Sequence, residues 1–286
     1  MELLTIIKAI ILGIVEGLTE FAPVSSTGHM IIVDDMWLKS QEFLGKYTAN
    51  TFKVVIQLGS ILAVVIIFYK RFIDLLGLKR FSRKEMTAVP DGVPQVETEG
   101  RLKLGQVLVG LIPAGVFGLL FEDYIDEHLF STSTVLIGLV VGAVFMIIAD
   151  RFAPKKPKTE TVDQITYRQA LSVGLIQCVS LWPGFSRSGS TISGGVLLGM
   201  SHRAAADFTF IMAVPIMAGA SLISLIKNWQ YFTLDALPFF IAGFISAFLF
   251  ALLSMRFFLK LINRIKLLPF AIYRIVLAAV VYLVWF

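Results

Sequence analysis

Six stretches of the chain, 52–69, 105–121, 131–149, 205–226, 234–255 and 267–286, are almost continuously apolar and carry at most one charged residue each. Each approaches the roughly 20 residues that a helix needs to cross the hydrocarbon core of a bilayer. Lipid offers no partner to an exposed backbone group, so these stretches are read as helices and not as open sheet. Two further apolar segments break the pattern. The first, 3–21, is interrupted at Ala22, Pro23, Val24, Ser25, Ser26, Thr27 and Gly28 and resumes only over 30–38, too short to cross alone. The second, 170–181, is interrupted over 182–190 and resumes over 191–200. Helix, polar Gly- and Pro-containing break and short helix is the pattern expected of a re-entrant hairpin, because irregular backbone at membrane depth survives only when buried in protein or facing water.

The two interruptions align with each other. Ala9, Gly13, Phe21, Ser25, Thr27, Gly28 and Ile31 match Ala170, Gly174, Trp182, Ser186, Ser188, Gly189 and Ile192 at a constant offset of 161 residues, an internal repeat. The first repeat is read as 1–150 and the second as 168–286, both within one membrane domain. Each carries one hairpin and three spans. Three is odd, so the second repeat enters from the opposite side and the repeat is inverted. The expected fold is therefore an all-α polytopic membrane protein of six spanning helices plus two re-entrant helix hairpins in an inverted-topology repeat.

Loop charge gives an independent orientation. The segment 70–103 holds eight Lys and Arg, 151–168 holds five and 256–266 holds four, whereas 122–128 is acidic. Basic loops belong on the cytoplasmic side. This puts both termini outside, hairpin one entering from outside and hairpin two from the cytoplasm, with the breaks meeting near the midplane. The hydrophilic stretch 78–103, with Pro90, Gly92, Pro94 and Gly100, is read as a flexible, non-catalytic cytoplasmic loop.

Composition agrees with lipid as the main solvent: 57% of the 286 residues are hydrophobic, 16% are charged, and the mean hydropathy is +0.81. The net charge of +5 does not point to nucleic acid, since the basic residues sit in loops between apolar segments. One cysteine, Cys178, rules out an intramolecular disulfide and a thiol pair for metal or redox chemistry. The apolar N-terminus is read as retained structure, because Lys8 interrupts it, Glu16 and Glu20 lie in its distal half, and no small-x-small cleavage site follows.

The chemistry concentrates at the breaks. Glu16 and Glu20 are four residues apart and share a helix face, where two carboxylates at membrane depth need a proton, a cation or a metal; Mg²⁺ or Ca²⁺ suits such hard oxygen ligands. Ser25, Ser26, Thr27 and Gly28 lie where a short helix begins, so their hydroxyls and backbone N–H groups suit an anion, although simple N-capping needs the same residues. His29 follows directly, with an imidazole that exchanges protons near neutral pH. Ser186, Arg187, Ser188 and Thr191 furnish the second break, and the planar Arg187 fork matches phosphate oxygens. Together these groups form the inventory that phosphoryl transfer needs for positioning and spreading charge. Gln57 and Arg274 are buried polar residues outside the breaks and are given mainly structural roles.

At these residues the chain resembles the undecaprenyl-diphosphate phosphatase family linked to bacitracin resistance. Glu16-Gly-Leu-Thr-Glu20 matches its Glu-x-x-x-Glu motif, Pro23 to His29 its Pro-Val-Ser-Ser-Thr-Gly-His loop, and Pro183 to Thr191 its Pro-Gly-x-Ser-Arg-Ser-x-x-Thr loop. The likeness extends over essentially the whole chain, without departure within the motifs. The resemblance implies hydrolysis of undecaprenyl diphosphate to undecaprenyl phosphate and inorganic phosphate, for recycling of the cell-wall lipid carrier. It also implies an inner-membrane enzyme whose site opens to the periplasmic side, dependence on a divalent cation, and a homodimer. On this reading Ser26, His29, Arg187 and Glu20 are catalytic. Ser25, Thr27, Gly28, Ser186, Ser188 and Thr191 bind phosphate, and Glu16 with Glu20 positions the metal. Ser26 is the preferred nucleophile; attack by His29, or by water that His29 activates, stays open. The competing class is a lipid-phosphate flippase or anion transporter, since secondary transporters also join broken helices at the midplane.

Overall fold

A computed structural model describes residues 3–78, 100–231 and 234–285. The loop expected over 78–103 falls largely outside the described residues. Among those described, every element is helical apart from one isolated bridge between Thr159 and Met200. The helices are α1 (Leu3–Thr19), α2 (Ser26–Met30, continuing as a π-helix over Ile31–Leu38), α3 (Ser40–Leu44), α4 (Lys46–Ile67), α5 (Tyr69–Leu75), α6 (Leu104–His128) and α7 (Thr132–Phe152). They are followed by α8 (Tyr167–Gln177), α9 (Arg187–Leu197), α10 (His202–Lys227), α11 (Leu237–Ile265) and α12 (Leu268–Trp285). Six of these, α4, α6, α7, α10, α11 and α12, are long and apolar enough to cross a membrane. They coincide with the six expected spans.

The boundaries shift where polar residues extend a helix beyond its apolar part. α4 starts at Lys46 rather than 52, α6 runs on to His128, and α11 runs on to Ile265. The shorter pieces shift too. The helices after the breaks begin at Ser26 and Arg187, several residues before 30 and 191, because Ser25 and Ser186 cap them through their hydroxyls.

Contacts at the helix ends show that the six long helices alternate in direction. At one end Asp150, near the close of α7, accepts from His202 Nε2 at 2.7 Å, at the start of α10, and from the N–H groups of Leu267 and Leu268 at 2.8 Å, at the start of α12. There too Arg203 donates to the carbonyl of Leu259 in α11, and Arg71 after α4 pairs with Asp163. The Lys- and Arg-rich loops are at this end, called the basic end below. At the other end Lys227, the last residue of α10, pairs with Glu122 of α6, and Tyr47 of α4 stacks on Tyr231.

Two broken helix pairs complete the bundle, and each docks on a long helix of the opposite half of the sequence. α1 runs parallel to α11 at a separation only glycine permits: a Cβ on Gly13 would lie 2.3 Å from the Gly243 carbonyl oxygen, and one on Gly17 2.4 Å from that of Ala247. Close backbone approach at small residues is how helices gain contact in lipid, where apolar side chains gain nothing by leaving their surroundings. α8 meets α6 in the same way, at Gly174 against the Gly110 carbonyl. The largest core cluster joins both halves, with Phe21, Ile192, Phe208 and Phe210 fully buried; the Phe21 and Phe210 rings meet edge to face with centroids 5.3 Å apart.

Candidate active site

Ser25 and Ser186, at the same place in the sequence repeat, have the same local geometry. Both adopt positive φ, 72° and 76°, and both hydroxyls accept from the N–H three residues on, Gly28 at 3.3 Å and Gly189 at 3.1 Å. A residue with a Cβ is strained in this region, and such strain persists only where surrounding structure fixes it. Here the turn directs the two following side chains, Ser26 and Arg187, toward each other.

Glu20 joins them. Ser26 Oγ donates to Glu20 Oε2 at 2.5 Å, and Arg187 Nη2 donates to Glu20 Oε1 at 2.8 Å. The ion pair is largely withdrawn from solvent, with side-chain exposures of 7% for Glu20 and 16% for Arg187, so Coulomb attraction is little screened. Arg187 Nη2 also approaches Met217 Sδ at 3.2 Å, while Nη1 is buried without a hydrogen-bond partner. A buried guanidinium donor left free is costly unless a ligand completes it. Ser188 Oγ donates to the Ala22 carbonyl at 3.1 Å, tying the second break to the first.

A cavity of about 160 Å³ opens over this chain of groups. Glu20, Ser25, Ser26, Thr27, Ser186 and Arg187 line it, together with Gln57, Ser180, Trp182 and Met217 among others. At about 30 Å³ per water, it has room for a phosphoryl group and a few waters, not for a lipid tail. Of the expected site residues, Glu16, Gly28, His29, Ser188 and Thr191 are not on its wall. Thr191 Oγ1 donates to the Arg187 carbonyl at 2.8 Å and accepts from Thr209, fixing α9 to α10. His29 has both ring nitrogens engaged elsewhere: Nδ1 donates to the Ser25 carbonyl at 2.8 Å, and Nε2 shares a hydrogen bond with the Tyr273 hydroxyl at 2.6 Å. The Ser25 carbonyl can only accept, so Nδ1 carries a proton in this arrangement.

Sequence reasoning missed several contributors. Gln57, assigned a structural role, lines the cavity, and as a lone amide within an apolar span it was a visible signal. Tyr273 was not legible, because it meets His29 across 244 residues of sequence. Arg274, the next residue, is fully buried and grips the second break: Nη2 donates to the carbonyls of Gly138, Gly184 and Phe185 at 3.2, 2.8 and 2.9 Å. Its expected structural role fits these contacts.

Among the described residues no group of three or more His, Cys, Asp and Glu side chains is gathered as a metal site. The carboxylates of Glu16 on α1 and Glu20 just after it nevertheless fit a cation that brings its own oxygens. Glu16 Oε1 is buried with no partner, and Mg²⁺ commonly takes one or two carboxylates plus waters and substrate phosphates. Two carboxylates set against one paired guanidinium also leave an anionic substrate under-compensated.

Fold and cavity together define a multi-pass membrane protein with a phosphate-sized site made by two broken helices. The chain belongs to the family described as Bacitracin resistance protein BacA, whose profile matches residues 9–280. It is 78% identical to a protein of Geobacillus sp. (strain WCH70) named undecaprenyl-diphosphatase, over 286 residues and the whole of both chains. A Bacillus subtilis (strain 168) protein with the same name is 61% identical over 284 residues, 99% of each chain.

Proposed function

We infer that this protein hydrolyses undecaprenyl diphosphate to undecaprenyl phosphate and inorganic phosphate, as a membrane-embedded phosphatase. The observation that carries the mechanism is the Ser26–Glu20–Arg187 chain under the cavity. The cavity takes the terminal phosphoryl group and has no room for a lipid tail, so the polyprenyl chain stays in lipid. The free Nη1 of Arg187 and the hydroxyls of Ser25, Thr27 and Ser186 take the terminal phosphoryl oxygens, as charge-assisted and neutral hydrogen bonds. Ser26 Oγ attacks the terminal phosphorus while its proton passes to Glu20 Oε2, and the bond from phosphorus to the bridging oxygen breaks, releasing undecaprenyl phosphate. Glu20 passes that proton to the departing phosphate oxygen; water then attacks the phosphoserine and gives a proton to Glu20, the bond from phosphorus to Ser26 Oγ breaks, and Glu20 returns the proton to Ser26 Oγ as phosphate leaves. Arg187 keeps Glu20 oriented and meets the charge that develops. His29 holds the strained Ser25 turn through its Nδ1–H, a positioning role in this arrangement.

Glu16, with Glu20, would hold a divalent cation, Mg²⁺ or Ca²⁺, which when bound offsets the charge of the diphosphate. Two re-entrant hairpins in inverted repeats supply the frame. This reading is supported by α1 and α8 starting from opposite ends of the bundle and by the matching Ser25 and Ser186 turns. The basic end faces the cytoplasm of a bacterial inner membrane, by the loop-charge rule, and the cavity opens to the periplasmic side. Recycling of the lipid carrier and a homodimer rest on the family resemblance.

The test is phosphate release by the purified protein in detergent from undecaprenyl diphosphate labelled in its terminal phosphate, with and without Mg²⁺. Label trapped on wild-type protein and absent from Ser26→Ala supports the covalent route. Full activity of Ser26→Ala would rule it out. Because broken helices that meet from opposite ends also build transporters, a flippase is the second reading. It predicts anion binding without phosphate release in detergent.

A further inference from the structure

α1 is 17 residues long and its parallel partner α11 is 29. α1 covers α11 from about Gly243 to Ser254, whose hydroxyl donates to the Gly17 carbonyl at 2.8 Å, and the chain then turns away after Thr19. α11 continues to Ile265, about 16 Å of further helix at 1.5 Å per residue. The face that α1 would have covered is left open along this stretch, which runs from the apolar part of α11 into its basic end segment. The result is a groove of about 670 Å³ between the end of α1, the second half of α11 and the start of α12. Its walls are almost wholly apolar and include Leu18, Ala22, Leu253, Phe257 and Phe270.

Its rim is basic. Arg256 and Lys260 line the groove one helical turn apart, and Arg264 continues the ladder one turn further toward the basic end. None of the three forms an ion pair among the described residues, whereas Lys53, Arg71, Arg101, Arg187, Arg203 and Lys227 each have a carboxylate partner. An apolar trough crowned by unpaired cations matches a lipid whose headgroup is anionic.

We propose that this groove seats one anionic phospholipid from the leaflet at the basic end. An acyl chain lies along Leu253 and Phe257, and the phosphodiester sits against Lys260 and Arg264. The site is separate from the catalytic cavity, with which it shares no lining residue. It is nonetheless adjacent: the wall residue Ala22 is the one whose carbonyl receives the Ser188 hydrogen bond between the two breaks. A seated acyl chain therefore backs the loop that carries Ser25 and Ser26.

Native mass spectrometry of the delipidated full-length protein, titrated with phosphatidylglycerol or with phosphatidylcholine of the same chains, tests this. Wild type should take up one phosphatidylglycerol in preference to phosphatidylcholine. The double variant K260S/R264S should weaken that uptake roughly twentyfold, given the contribution of each basic side chain near an anionic lipid. Leu253→Trp, which fills the trough and leaves the cations, should abolish it. Melting temperatures within a few degrees of wild type identify the variants that can be scored, and either one suffices. Equal uptake of both lipids by wild type, or undiminished phosphatidylglycerol uptake by a folded variant, overturns the proposal. So does displacement of the bound lipid by equimolar undecaprenyl phosphate, which would assign the groove to the substrate tail.

Discussion

Ser25 and Ser186 each combine a cost with a function: positive φ in a residue with a Cβ, and a hydroxyl that closes the following turn. Ser25→Gly loses the cap and relieves the strain, whereas Ser25→Ala loses the cap and keeps the strain. The glycine variant should therefore be the more stable by about 1–2 kcal/mol, as read by denaturation in mixed micelles. Equal stability would mean that neighbouring structure does not enforce the turn. Glu20 has both oxygens committed to neighbours, so Glu20→Gln disables the proton acceptor while nearly conserving volume. It should lower kcat by about 10²–10⁴, and the melting temperature should fall as well, because the buried Arg187 loses its counter-charge. Arg187→Lys keeps the charge but cannot serve Glu20 and a phosphate oxygen together, and a loss of about 10²–10³ is expected. These residues were legible in sequence because ionisable and hydroxyl groups stand out against an apolar background. The links among them were not, since local spacing does not report which oxygen meets which nitrogen across 167 residues.

At the scale of elements, contact between α1 and α11 depends on Gly13 and Gly17. Gly17→Val must push the helices apart, because even its Cβ would meet the Ala247 carbonyl oxygen at 2.4 Å. It should destabilise the protein by several kcal/mol on the scale of overpacking and lost contact and abolish activity, since Glu20 follows directly on α1. Gly115→Ala and Gly219→Ala are the controls: nothing lies within 4 Å of their added methyl groups, and helix propensity favours them by up to about 1 kcal/mol. Arg274→Lys isolates the grip of α12 on the second break. Nη2 meets all three carbonyls while Nη1 approaches Met146 Sδ at 3.3 Å, and one ammonium cannot hold both sets of contacts, so the melting temperature should fall. The existence of the long helices followed from apolar run length, while their ends did not, because Tyr47–Thr51 and Asp123–His128 continue helices in polar sequence. The π-helical turn over Ile31–Leu38 left no recognisable mark in the residues themselves.

At the scale of the whole molecule, the proposed orientation makes opposite ends chemically distinguishable. In a Cys178→Ser background, Gln230→Cys should react with an impermeant maleimide on intact cells and Lys155→Cys only after lysis; the reverse pattern would invert the topology. The internal repeat was readable from seven matched positions, but what it builds was not, because each broken pair docks on a long helix of the other half and such pairing leaves no periodicity to read. Ser26 and Arg187 are themselves related by the offset of 161 residues, each the first residue of the helix that follows a left-handed serine. Two identical copies of one half, assembled as a dimer, would present a pair of serines or a pair of arginines at the shared cavity, never one of each. Joining the halves in one polypeptide breaks that symmetry, so that a nucleophile and a cation face each other from equivalent places in a single frame.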